Sequence, residues 1–421
     1  MKSLLMLTKF YPYGNEEAFI ENEIEVLSKK FEKIVIIACE VDNKEERVRK
    51  VPNNVKTYKV ISKQKKMQTI IDGIVGIKKI FNMSNEMKYE INYCNNIFKK
   101  LFLLYFEQKS NRIFSQIEQQ DFLRDIKNEK FILYSYWLFT TAKVGVNLKK
   151  VLNNNIIYSF CRAHRYDLYE ERNSLKYLPY RSLLLKNYDS IFPCSNDGVE
   201  YLKNKYSDYS NKIKVSFLGT LDNGLSKYSD DNIFRIVSCS RLEPVKRVNR
   251  IVEALSLIDI TDKMIEWTHI GGGREFDTIK KLIDKKIKNK NIKINLLGNV
   301  PNKDVINFYK NSKVDLFINV SSSEGLPVSI MESISFGIPV IATNVGGTSE
   351  IVIDGVDGYL LSSNFENREL AKLIIKIIKA KESEEYNNMR MQSRELWEKR
   401  FQARNNYENL CTFIDLKVRK I

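Results

Sequence analysis

The stretch SSSEGLPVSIMESISFGIPVIATNVGG, residues 321–347, places two carboxylates, Glu324 and Glu332, on either side of a Gly-Leu-Pro turn. It follows the β-branched run VDLFINV (314–320) and itself contains a second such run, PVIATNV (339–345). Apolar run, polar turn, helical segment and apolar run in succession describe a parallel βαβ unit. Pro327 falls in the first turn of the expected helix, which runs to about Phe336, and proline is tolerated there because its missing N–H would be unpaired anyway. Free amides and the positive end of the helix dipole then face the strand's C-terminal edge, where an anion gains about 0.3–1 kcal/mol from the dipole. Glu324 stands before that seat and Glu332 inside the helix, so the two can serve separate sets of hydroxyls on one ligand. The plainer reading is that Glu324 caps the helix and Glu332 is a solvated helical residue.

The same grammar extends in both directions. Apolar runs at 3–10, 33–39, 131–138, 155–161, 190–195 and 212–219 alternate with amphipathic segments. After the polar stretch TLDNGLSKYSDDN (220–232) the pattern restarts with runs at 234–240, 265–270, 291–298, 314–320, 339–345 and 358–361. This alternation predicts an α/β chain with two Rossmann-like parallel sheets joined near residue 220. Ligands of such sheets bind at strand C-termini, so a cleft between the two halves is the expected site.

Other strand ends carry suitable chemistry. SCSRLEPVKRV (238–248) sets Arg241 and Lys246 five residues apart, a spacing that lets both reach one diphosphate; charge-assisted hydrogen bonds of that kind are worth about 1.5–3 kcal/mol each. WTHIGGGREF (267–276) is a strand, a triple glycine and a helix start, and the loop after LLGNV holds Asn299, Val300 and Pro301. Each of these alone reads as an ordinary turn. Together they line one sheet edge.

Bulk properties narrow the class. At 421 residues and 43% hydrophobic content the chain exceeds what one core usually holds. The six cysteines contain no C-x-x-C pair and the only histidines are His164 and His269, so neither a disulfide framework nor a zinc site is indicated. No Asp-x-Asp that would seat a metal ion occurs. The N-terminus has no cleavage site of signal-peptide type, and no run approaches the roughly 18 apolar residues of a membrane span, which points to the cytoplasm. The net charge is +16, and residues 51–150 alone hold eighteen Lys and Arg against eight Asp and Glu. Within that region Ile70, Ile74, Ile77 and Phe81 share one face of an expected helix ringed by lysines at 63, 65, 66, 78 and 79. Packing on its own domain and peripheral attachment to an anionic membrane surface are the two readings of that face.

Taken together, R-x4-K, the glycine turn, LLGNV and E-G-L-P-x5-E followed by FGIPVIATNVGG resemble the retaining, two-domain glycosyltransferases of family 4, which have the GT-B fold and use nucleotide-activated sugars. The resemblance is continuous over about 234–362. In the first half, KFYPYGNEEAFIENEI (9–24), YSYWLFTTA (134–142) and FCRAHRYDLYEER (160–172) are similar to bacterial members that build capsular, exopolysaccharide or O-antigen chains. It implies an acceptor domain over 1–220, a donor domain over 221–395 and a C-terminal helix, 396–421, returning to the first domain. It further implies that Arg241 and Lys246 hold the donor diphosphate, that Glu324 binds donor-sugar hydroxyls, and that the amides at Gly325 and Leu326 face sugar and phosphate. Glu332 would take the ribose, the base would lie against Asn299 and Val300, Gly14 would approach the phosphates, and His164 would stand near the anomeric carbon. The implied partners are a nucleotide-sugar donor, UDP-sugar ahead of GDP-sugar, and a glycan or polyprenyl-linked acceptor, with no metal or other cofactor. The chain departs from the pattern at Asn15 and Arg165, where the family commonly has glycine. A nucleotide-sugar epimerase or a phosphorylase would share the architecture. A nucleic-acid-binding protein would account for the charge, but no recognition motif accompanies it.

Overall fold

The structure, a computed structural model, describes residues 3–14, 16–62, 84–120, 126, 129–228 and 231–420. The face expected from Ile70, Ile74, Ile77 and Phe81 lies outside them. Two compact units divide the chain: Met1–Ser216 with Tyr407–Ile421, and Phe217–Asn406.

The first unit is built on β1 (Ser3–Thr8), β2 (Lys33–Val41), β3 (Val55–Ile61), β4 (Phe131–Ser135), β5 (Ile156–Ala163) and β6 (Ser190–Pro193). They form one parallel sheet in the order β3-β2-β1-β4-β5-β6. Successive strand residues go to opposite faces, so Leu5, Leu7, Val35, Ile37 and Leu133 join one core while Leu4, Met6, Ile34, Ile36 and Ile132 join another. A sheet buried on both faces needs continuous apolar runs, which is what these strands are. Leu410, Cys411 and Ile414 of the C-terminal helix complete the second core.

Two strand boundaries differ from the sequence expectation. VKTYKVI (55–61) is a strand although its lysines hide the pattern, because β3 is an edge strand with only Val55 and Val60 buried. The run at 212–219 is not one. It runs beside β6 with one isolated bridge, Ile191 to Ile213, and two backbone hydrogen bonds, Lys214 N to Ile191 O and Ser216 N to Pro193 O (3.0 Å each), while Lys212 donates to the carbonyls of Lys186 (2.8 Å) and Tyr188 (3.0 Å).

The second unit holds β7 (Ile233–Cys239), β8 (Met264–Ile270), β9 (Ile292–Leu296), β10 (Leu316–Asn319), β11 (Val340–Thr343) and β12 (Gly358–Leu361), matching the six runs expected there. Their order, β12-β11-β10-β7-β8-β9, repeats the first unit's. Helices cover both faces. In Asn367–Ala380, for example, Leu370, Ala371, Ile374, Ile377 and Ile378 recur at helical spacing and are buried, and the Glu369 carboxylate accepts from the Glu366 amide at the N-terminus (2.8 Å). In both sheets the order reverses between adjacent strands, β1 and β4 in one and β7 and β10 in the other. Their C-terminal ends are where crossovers leave in opposite directions and open a crevice.

Beneath the first sheet lies a fully buried ion pair, Arg162 Nε to Glu23 Oε2 at 3.2 Å, with the Tyr134 hydroxyl donating to Glu23 at 2.7 Å. Burial raises the Glu23 carboxyl above its usual range, and the Arg162 charge offsets part of that shift. Removing one partner strands a buried charge. Arg162→Met is expected to cost about 3–5 kcal/mol, measurable by urea unfolding, whereas the double change Arg162→Met with Glu23→Leu should recover most of the loss.

Candidate functional site

In the second unit β7 and β10 run side by side, and the loops that leave their C-terminal ends are sewn together. The Ser322 amide donates to the Val245 carbonyl at 2.8 Å. Arg247, in a left-handed backbone conformation with φ of 50°, donates through Nε to Val320 O (2.8 Å) and through its terminal nitrogens to Ser321 O (3.1 Å) and Ser363 O (2.7 Å). Thus one guanidinium ties the β7 loop to the end of β10. The consequence is that Lys246 Nζ meets Glu324 Oε1 at 2.6 Å. Asn319 Nδ2 lies 3.4 Å from the same oxygen, and its own Oδ1 accepts from the Ser321 amide.

Behind Glu324, Gly346 has a positive φ of 54°, and a Cβ there would stand 2.1 Å from the Glu324 carbonyl oxygen. The next amide, Gly347 N, donates to Gly325 O at 2.7 Å. The Gly-Gly pair therefore lets the β11 loop press directly on the Glu324–Gly325 backbone. The helix that follows runs Val328–Ser335, with Pro327 at its N-cap and no side chain capping it. Glu324 is therefore not a cap, and Leu326 is buried beside the helix start.

Glu332 is buried on the inner face of that helix and accepts from Asn302 Nδ2 at 2.8 Å. Burial pushes its carboxyl up to about 7, the Asn302 hydrogen bond pulling the other way. Cys239, the last residue of β7, is pushed up to about 12, by burial first and then by the Glu332 charge, against the Lys246 charge. The thiol thus senses both groups, Lys246 and Glu332, from the end of β7. Glu332 is not the solvated residue of the plainer reading.

The glycine turn is a requirement of close approach. Gly271 has φ of 137° and a Cβ on it would lie 1.9 Å from Ser240 O, so β8 and β7 leave the sheet in contact. Gly272 N donates to Asn299 Oδ1 at 3.0 Å, which fixes Asn299 and the half-exposed Val300 after it against the turn. Arg241 is exposed, and its side chain has no hydrogen bond or ion pair among the described residues; no contact joins it to Lys246, Glu324 or Glu332. His269 is structural. It is buried, held by the Ser238 hydroxyl (2.8 Å) and near Ser240 O (3.2 Å), and burial lowers it to about 4.

The first unit carries its own cluster at the ends of β1, β4 and β5. Gly14 adopts a positive φ of 62° in the loop after β1, and its amide donates to Glu46 O at 3.3 Å. His164, after β5, is only 8% exposed; its ring is stacked on Tyr136 (4.9 Å between centroids) and lies 4.4 Å from that of Trp137. Both ring nitrogens are buried without a hydrogen-bond partner among the described residues. Burial, helped by the Arg162 charge, holds the imidazole well below its usual value, so it is neutral at neutral pH. Asp167 braces it, accepting from His164 N and Leu138 N at 2.6 Å each, and burial raises that carboxyl to about 7.

Three residues in these clusters were not singled out from the sequence. Arg247 follows Lys246 in a basic loop and looks like one more solvated cation. Asp167 sits in a charged run. Glu17, one of a Glu16-Glu17 pair, is in fact buried and accepts from the amides of Lys9 (3.2 Å), Phe10 (2.7 Å) and Tyr11 (2.6 Å) and from the Trp137 indole. Only its neighbours Ala18 and Phe19 hinted at burial.

Comparisons with known proteins bear on the fold and on the second unit's family resemblance. Two parallel six-stranded sheets of this order, each with its helices, are the GT-B fold of glycosyltransferases. Residues 220–396 match the family model described as "Glycosyl transferases group 1", and the matched stretch contains every second-unit residue discussed above. An uncharacterised glycosyltransferase of Methanocaldococcus jannaschii is 29% identical over 252 residues, 60% of this chain and 66% of its own length. A poly(ribitol-phosphate) alpha-N-acetylglucosaminyltransferase of Staphylococcus aureus is 22% identical over 74% of this chain and 64% of its own. The chain thus spans just under two thirds of these relatives. Among solved structures, Anabaena HepE in complex with UDP-glucose superposes with a TM-score of 0.63 at 14% identity, covering 98% of this chain and 99% of that one.

Because Glu332 titrates well above the ordinary carboxylate value of 4.5, the folded chain holds one more proton than the unfolded chain between about 4.5 and 7. Its contribution to stability therefore falls as pH rises through that window and stays low above it. In ligand-free protein, Glu332→Gln is expected to be more stable than wild type at pH 8 by on the order of 3 kcal/mol, a difference that vanishes by about pH 4. Thermal unfolding at both pH values checks this.

Proposed function

We propose that the protein is a hexosyltransferase that moves a sugar from a nucleotide-sugar donor, a UDP-sugar before a GDP-sugar, to a glycan or polyprenyl-linked glycan acceptor. The single observation that carries this reading is the Lys246–Glu324 pair at the reversal point of the second sheet, beside an uncapped helix start. A donor arriving there exchanges that pair for better partners. Lys246 turns to the diphosphate, and Glu324 accepts from sugar hydroxyls. The amides at Gly325 and Leu326 complete the anion seat, and Arg241, free of other partners, closes on the phosphates from the same loop as Lys246. Glu332 accepts from the ribose hydroxyls, and the base lies along Asn299 and Val300.

As the bond from the anomeric carbon to the diphosphate oxygen breaks, negative charge grows on the leaving nucleotide. Fixed cations and helix amides stabilise that charge more than they stabilise the intact donor, which is how such groups accelerate the step. No metal ion is assigned a part in it. The resemblance to family 4 assigns Gly14 to the approach to the donor and His164, neutral in its aromatic surroundings, to the neighbourhood of the anomeric carbon. The resemblance to family 4 supports retention of configuration, and Glu324, already occupied with hydroxyls, is not the nucleophile. Bacterial surface polysaccharide (capsule, exopolysaccharide or O-antigen) is the proposed product, made on the cytoplasmic side of the membrane. The UDP-glucose bound by Anabaena HepE supports a uridine donor.

Two substitutions separate binding from chemistry. Glu332→Ala should weaken UDP binding at least tenfold by calorimetry. Lys246→Ala should leave affinity for the intact nucleotide-sugar within a few-fold and reduce turnover about a hundredfold. Wild-type values for both variants would remove the site assignment. Release of free donor isomer in the absence of acceptor would instead mark an epimerase.

A further inference from the structure

In the first unit, helix Ile97–Glu118 turns Leu103, Phe106, Ser110, Ile113 and Ile117 into the core. Its opening turns and the short helix before it, Asn85–Ile91, leave a different set outside. Tyr89 is 60% exposed, Tyr93 61%, Ile97 60%, Phe98 66% and Leu101 38%. Five large apolar side chains exposed within residues 89–101 exceed what scattered surface hydrophobes explain. The two tyrosine rings sit 5.2 Å apart with their hydroxyls 2.7 Å from each other.

The charge around this patch has one sign. Lys88 and Lys100 are exposed and Lys99 is half-buried over the Tyr177 ring, and none of the three is ion-paired among the described residues. The two acids of the stretch are already engaged elsewhere. Glu86 pairs with Lys150 at 2.8 Å, and Glu90 is buried, accepting from the Tyr177 hydroxyl (2.6 Å) and the Tyr180 amide (2.9 Å). The next acid along the chain, Glu107, pairs with Lys143 at 3.2 Å.

We infer that this face docks on an anionic lipid surface. Lysines attract acidic headgroups, tyrosines settle at headgroup depth, and Ile97, Phe98 and Leu101 enter the acyl boundary, so that every exposed group finds a partner. A second copy of the chain would set the three lysines against their own counterparts, and a nucleic acid would leave the aliphatic side chains in water. The inference deepens the proposed location at the membrane. It is measured without sugar or nucleotide, so its failure leaves the transferase reading standing, and loss of UDP binding leaves the docking face standing.

The test is co-sedimentation of the full chain with vesicles of phosphatidylcholine alone and of phosphatidylcholine mixed equally with phosphatidylglycerol. Wild type should bind the mixed vesicles at least tenfold more tightly than the neutral ones. The variant Ile97→Ser with Phe98→Ser, which changes only exposed side chains, should lose about tenfold, and so should the variant Lys88→Gln with Lys100→Gln. A charge-matched control in the second unit, Lys285→Gln with Lys286→Gln, should bind as wild type. Equal recovery of wild type with both vesicles would overturn the inference. So would an equal loss in the control, unchanged binding of the serine variant, or a dimer in solution that the serine variant abolishes.

Discussion

Two strands separated by some eighty residues of chain, β7 and β10, lie side by side because a parallel sheet must wind outward from its middle. Everything specific about the second unit follows from that adjacency. It puts the β7 loop against the β10 loop, lets Arg247 bind three carbonyls across the gap, and delivers an ammonium to a carboxylate at 2.6 Å. Without the stitching, Lys246 is a surface lysine and Glu324 a turn residue. A charge pair on fixed backbone is a different object from two solvated charges, since little side-chain entropy remains to be lost when a ligand takes its place.

Burial then divides the labour between the two acids. Glu324 keeps a cation beside it, whereas Glu332 has, among the described residues, one amide donor and no counter-charge, and its carboxyl rises to about 7. Such an arrangement costs stability, and proteins tolerate that cost where a ligand's hydroxyls or charge will relieve it. The first unit shows the same pattern at its strand ends. Glu17 and Asp167 gather backbone amides, and His164, in an aromatic box, has two ring nitrogens without a hydrogen-bond partner among the described residues. Buried polar groups without partners are rare enough to point to a ligand or a strained function.

Among the described residues no helix is long and apolar enough to cross a membrane. The exposed tyrosines and aliphatics at 89–101 offer a shallower attachment, on a surface far in sequence from the second-unit site. It lies in the region of the chain with the largest excess of lysine and arginine.

What the amino-acid order decided alone was the architecture. The β/α alternation, eleven of the twelve strands and the helix start at Gly-Leu-Pro could be read because apolar periodicity and turn chemistry are local properties. Edge strand β3 was hidden since an edge needs few apolar residues, and 212–219 misled because an apolar run does not say whether its backbone completes a ladder with the neighbouring strand. The roles of Arg247, Glu17 and Asp167, the contact of Lys246 with Glu324, and the exposure of Phe98 and Ile97 belonged to the tertiary structure. Each depends on what another part of the chain places opposite, and a charged or apolar side chain carries the same letter whether it meets water or a partner.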